Sequence, residues 1–171
     1  MMRTAVAWLT PVKASGLAAY LMASAACAAT VLLSVDRRIV RLASILCAVD
    51  LFLVSDIAFN WRWKLHDQLS WSAVTHHWYG FRTGPQIAAL AFLAIMLLLA
   101  AVSLGRRLSS IRGGRLALCG ALLSIGCWFT EVISLHAIDA ILYRSVGPLM
   151  VVCFIWMLAA ITTTAGILRA K

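Results

Sequence analysis

The chain has 171 residues, of which 63% are apolar and only 12% charged, with a mean hydropathy of +0.94. A soluble domain carries about 45–50% apolar and about 25% charged residues, so composition excludes a cytosolic enzyme and a disordered tail and points to one integral-membrane domain over residues 1–171. Fifteen Lys and Arg against six Asp and Glu leave a net charge of +9, but the basic residues flank apolar runs, where they serve as orientation signals rather than as a nucleic-acid surface.

A helix crosses a hydrocarbon core of about 30 Å in roughly 17–25 apolar residues. Five runs meet that length, at 14–35, 42–60, 86–104, 116–138 and 146–168. Alternating barrel strands are absent and backbone groups in lipid must pair internally, so the expected fold is an all-α, polytopic membrane helical bundle with five transmembrane helices. Pro11, Pro85 and Pro148 all fall before or within the first turn of an expected helix, where a missing N–H costs little.

The first run, with basic residues before it and Ala23, Ser24, Ala25 and Ala26 within it, has some features of a signal peptide. It continues through Val31, Leu32 and Leu33 to Arg37, Arg38 and Arg41, which favours a retained span. Gly16, Ala19, Ala23 and Cys27 recur at about four-residue spacing, which suits close helix contact.

The second run carries Asp50 near its midpoint and Asp56 with Asn60 near its end. An ionisable group near the bilayer centre costs at least about 2.5–3.5 kcal/mol, so each must face protein or water. Asp50 and Asp56 are six residues apart, about 120° around a helix, and therefore meet different neighbours. The connection that follows, 61–85, holds Arg62, Lys64, His66, Asp67, His76, His77, Tyr79 and Arg82 with four of the seven tryptophans. Trp61, Leu65 and Leu69, then Trp71, Val74 and Trp78, fall at helical spacing, so an interfacial helix is expected there.

The third run has no ionisable group. The connection after it, 105–115, holds arginine, glycine and small residues and reads as an anchor, with Gly113-Gly114 a flexible turn. The fourth run ends in Glu131, Ser134, His136 and Asp139, with Tyr143 and Arg144 directly after. His136 and Asp139 share a helix face, a spacing available to metal ligands or to a hydrogen-bonded imidazole and carboxylate. Glu131 lies about 140° from His136 and pairs readily with Arg62 or Arg144. A metal held by His136, Asp139 and one of His66, His76 or His77 is chemically allowed, though interfacial histidines explain the pattern more simply. The five cysteines all fall inside expected helices without a CxxC pair, as packing residues do.

Lys and Arg number six in the first, third and fifth extramembrane segments and nine in the shorter alternate ones. The positive-inside rule then places the amino terminus outside and the carboxyl terminus in the cytoplasm, in a membrane of the bacterial inner-membrane type. Asp56, Asn60, Glu131, His136 and Asp139 thereby gather on the outer side.

No motif names a substrate or cofactor. The favoured reading is a non-catalytic or accessory membrane subunit, in contact with membrane lipids and associated with copies of itself or a larger membrane protein, whose outward polar cluster binds a partner, headgroup or small ligand. The alternative is an enzyme acting on a lipid or lipid-linked substrate. There Glu131 or His136 would be the base, Asp139 would orient the imidazole, and Arg62, Arg82 and Arg144 would hold an anionic headgroup, with Asp50, Asp56, Asn60 and Tyr143 as further ligand contacts. A third reading is proton or ion passage through Asp50, Asp56 and Glu131 in an oligomer.

Overall fold

The computed structural model describes residues 9–170; Arg3 and Lys171, which entered the charge comparison, lie outside them. Among the described residues seven α-helices follow one another: α1 (Pro11–Leu33), α2 (Arg37–Phe59), α3 (Trp61–Thr75), α4 (Thr83–Arg107), α5 (Gly114–Ile133), α6 (His136–Leu142) and α7 (Val151–Leu168). A two-residue antiparallel hairpin, β1 (Ser145–Val146) with β2 (Leu149–Met150), precedes α7. Five of the helices, α1, α2, α4, α5 and α7, are long and apolar enough to cross a membrane.

Local chemistry sets where the helices begin. Thr10 Oγ1 accepts the Lys13 N–H at 3.3 Å with Pro11 in the first helical position of α1, and Asp36 Oδ1 accepts the Arg38 N–H at 2.7 Å to start α2. The helices therefore reach into their basic flanks, and α1, α2 and α4 begin several residues earlier than hydropathy places them.

Helices α1, α2, α5 and α7 enclose the core. One cluster, with Tyr20, Leu53, Ile57, Val152 and Trp156, sits toward the end carrying α3, and a second, with Leu42, Leu46, Ala117 and Ile167, toward the opposite end. Small residues bring the helices together. Gly16, Ala19, Ala23 and Cys27 form the buried stripe of α1, and a methyl at Gly16 would overlap Ile57 and the Trp156 ring. Between α5 and α7, a methyl on Gly120 would collide with the Thr163 and Ala159 backbone, and one on Gly166 with the Ala117 backbone. Gly113 is more than a flexible turn: it holds φ +78° and lies against the Gly166 carbonyl, so both its conformation and its missing side chain are used. Helix α4 stands apart, leaning on α5 and burying none of its own residues.

Two expected spans are shorter than the apolar runs suggest. The fourth stops at Ile133 rather than 138, because Ser134 turns into the left-handed region at φ 49° and its N–H closes on the Thr130 carbonyl. Gln86 Nε2 donates to the carbonyls of Ile133 and Ser134 at 3.1 and 2.9 Å, satisfying acceptors that a longer helix would have paired internally. His136 thus opens the separate helix α6 and is not within a span. The fifth begins at Val151 rather than 146, since Gly147 at φ +64° and Pro148 form the tip of the hairpin. In the connection after α2, the expected helix is present as α3, with Trp78 beyond its end.

Candidate functional site

Asn60 adopts φ 57° and ψ 43°, ending α2 and starting α3 in a single residue. Asparagine tolerates this left-handed conformation better than most residues. The reversal aims the first turn of α3 back at α2, and Arg62, only 7% exposed, enters the protein interior. Trp61, Leu65, Leu69, Trp71 and Val74 are exposed together with Lys64, Asp67 and Gln68, while Arg62 and Ala73 are buried.

Arg62 links two acids. Its backbone N–H donates to Asp56 Oδ1 at 2.7 Å, and its Nη1 donates to Glu131 Oε1 at 2.8 Å. Its Nε lies 3.4 Å from Asp56 Oδ2, an ionic contact longer than a good hydrogen bond. The guanidinium carbon sits 4.7 Å from the centre of the Trp156 ring, adding a cation–π contact from α7. Glu131 is engaged at both oxygens: the Tyr143 hydroxyl donates to Oε2 at 3.0 Å, and the Cys127 thiol lies 3.7 Å from Oε1. Burial first, and then the neighbouring Glu131 carboxylate, push the Tyr143 phenol above its ordinary value, so it stays a neutral donor. Asp56 and Glu131 are buried, and the network ties α2, α3, α5, α7 and the residue after α6 at one end of the bundle.

Of the residues singled out from sequence, Asp56, Arg62, Glu131 and Tyr143 therefore meet. The others do not join them. His136 is exposed, and no hydrogen bond among the described residues connects it to Asp139, which accepts instead from the Ser134 hydroxyl. The imidazole–carboxylate pair with Glu131 beside it is thus not assembled: Glu131 faces the core from α5, while His136 faces out from α6. Arg144 is exposed, with no carboxylate partner among the described residues. Asn60 serves through its backbone, donating to the Asp56 carbonyl at 2.6 Å. Arg82 stacks on Tyr79, 4.0 Å from the ring centre, at the start of α4. Among the described residues, no three His, Cys, Asp or Glu side chains converge as a metal site requires.

Asp50 lies deeper, 2% exposed, and its Oδ2 has no protein partner. Tyr20 of α1 is buried in the core cluster that also holds Leu53 and Cys127. Sequence reading missed Trp156 and Gln86. Trp156 looks like an ordinary core aromatic, and only its contact with Arg62 gives it a polar role.

Chemically, the network pairs one guanidinium with two acids, and both Glu131 oxygens accept protein donors. Protein-family models, curated proteins and solved structures were all compared with this chain, and none matches it.

Proposed function

We propose that the protein is a non-catalytic accessory subunit of a membrane assembly, built of five spans and associated with a second copy or a larger membrane protein. The observation that carries this reading is the closed network of Asp56, Arg62, Glu131 and Tyr143, in which the groups a reaction would need are bound to one another. Buried ion pairs of this kind specify how elements meet without turnover. Helix α4 supports association: 25 residues long, it buries none of them and rests chiefly on α5. The enzyme alternative has less support, because His136 stands apart from Glu131.

The arrangement of charge favours the orientation derived above. Eight exposed arginines, Arg37, Arg38, Arg41, Arg106, Arg107, Arg112, Arg115 and Arg169, lie at the end opposite the network. At the network end Arg62 is neutralised inside the protein, which sharpens the contrast that the positive-inside rule uses. We therefore place the network end outside and the arginine end in the cytoplasm.

The test is photo-crosslinking in native membranes from position 92, since Phe92 projects from α4 with 65% of its surface exposed. A discrete crosslinked species, either a dimer of this chain or a complex with one other membrane protein, is the expected result. A chain that remains monomeric from position 92, and equally from Leu98 on the same helix, would overturn the subunit reading.

A further inference from the structure

We infer that the protein binds one sodium ion at Asp50, with the Ser124 and Thr163 hydroxyls as further oxygen ligands, in a polar layer between the two halves of the core. This goes beyond the subunit reading and does not rest on it.

The core is divided at one level. On α2, Asp50 stands between Leu46 of the second cluster and Leu53 of the first; on α5, Ser124 stands between Ala121 and Cys127; on α7, Thr163 stands between Ile167 and Ala160. The three polar residues are 2%, 1% and 1% exposed, and Asp50 Oδ2, Ser124 Oγ and Thr163 Oγ1 all lack a hydrogen-bond partner. Neighbouring contacts turn them inward. Thr163 Oγ1 faces α5, since it is the atom that a methyl on Gly120, one turn before Ser124, would meet first. Asp50 follows by one turn Cys47, whose thiol donates to the Ser24 carbonyl of α1 at 3.6 Å, so this side of α2 is packed into the bundle.

The two hydroxyls are unusual for their setting. A serine or threonine inside a helix can donate to a carbonyl three or four residues back, and Ser24, Thr30, Thr130 and Thr162 do so here at 2.7–2.9 Å. Ser124 and Thr163 forgo that bond although both are buried, which is costly unless something small lies among them. Thr164 also lacks a partner, but it is only half-buried and lies about 100° around α7 from Thr163.

Charge selects the occupant. Asp50, Asp56 and Glu131 are buried acids, and among the described residues Arg62 is the buried cation, with its two ion pairs going to Asp56 and Glu131. Asp50 is left as a carboxylate without a counter-charge, which an apolar interior does not tolerate. A water molecule would satisfy the hydroxyls and leave the charge. A proton would neutralise the charge but needs only one acceptor, so a second hydroxyl would stay unpaired. A divalent ion would leave a positive charge in the core, and zinc draws on nitrogen or sulfur ligands that this layer does not offer. A hard cation of one charge, held by a carboxylate and two hydroxyl oxygens, answers both needs. Sodium fits better than potassium, because α5 and α7 close on each other through Gly120 and Gly166 and leave little room.

The experiment measures the thermal midpoint of the full chain in mild detergent at about pH 8, where protons compete least for a carboxylate. Sodium chloride is titrated against choline chloride at fixed ionic strength. The midpoint should rise with sodium and then level off, potassium should raise it less, and radioactive sodium should bind with a stoichiometry of one ion per chain. Asp50→Asn should abolish the response. Ser124→Ala and Thr163→Val should each raise the half-saturating sodium concentration about tenfold, whereas Asp67→Asn, an exposed acid on α3, should leave it unchanged. Where Asp50→Asn does not fold, the two hydroxyl variants decide, since they keep every charge. No sodium response in the unaltered protein, as a proton on Asp50 would give, overturns the site. So does a response that survives Asp50→Asn, or a half-saturation that neither hydroxyl variant shifts. None of these results bears on crosslinking from position 92, so the two readings fail separately.

Discussion

Arg62 shows how a single side chain can hold an end of a bundle together. Removing one member of a buried ion pair leaves an uncompensated charge inside and costs about 3–5 kcal/mol. Arg62→Ala should therefore lower the thermal midpoint of the detergent-solubilised protein sharply, and by more than Arg144→Ala, whose guanidinium is exposed. The triple variant Asp56→Asn, Arg62→Met, Glu131→Gln removes all three charges together and should recover most of that loss, because an apolar or neutral replacement of a whole buried network is often tolerated. If the triple variant is as unstable as Arg62→Ala, charge balance is not what the network supplies. At this scale the sequence was partly legible. The cost of acids in apolar runs singled out Asp56 and Glu131, and Arg62 was one of two cations named for Glu131. What spacing could not show is that Asn60 reverses the chain, since the left-handed conformation of one residue has no periodic signature. Nor could it separate Glu131 from His136, because both lay in one uninterrupted apolar stretch.

The same limit appears at the level of elements. Hydropathy found all five long helices, because an apolar run of sufficient length is an additive property that no single residue can hide. It missed the ends of two of them, where Ser134 and the Gly147–Pro148 tip break the run by local hydrogen bonding rather than by composition. The small-residue stripe of α1 was readable from its four-residue repeat. The tighter seam between α5 and α7 was not, because Gly113, Ala117 and Gly120 face partners whose positions depend on the fold. That seam makes a sharp prediction. Gly120→Ala pushes a methyl into the Thr163 and Ala159 backbone and should cost about 1–3 kcal/mol through overpacking. Gly84→Ala, where nothing lies within 4 Å, should be close to neutral when both are measured by thermal unfolding in the same detergent. Equal effects would mean that α5 and α7 do not approach as closely as described.

For the molecule as a whole, the polar and basic ends are distinct, and the orientation proposed from them can be checked directly. In intact cells a membrane-impermeant thiol reagent should label Gln68→Cys, on the exposed side of α3, and should fail to label Ser109→Cys at the arginine end until the membrane is opened. The reverse pattern would invert the topology while leaving the fold and the Arg62 network intact.

The order of residues in that network bears on how the chain is made. Asp56 and Arg62 are six positions apart, and the Arg62 N–H donates to the Asp56 carboxylate across the Asn60 turn, so this corner is made by local sequence. Glu131 reaches it from a helix 69 residues beyond Arg62. We expect the corner to form first during synthesis, so that Glu131 meets a counter-charge already in place.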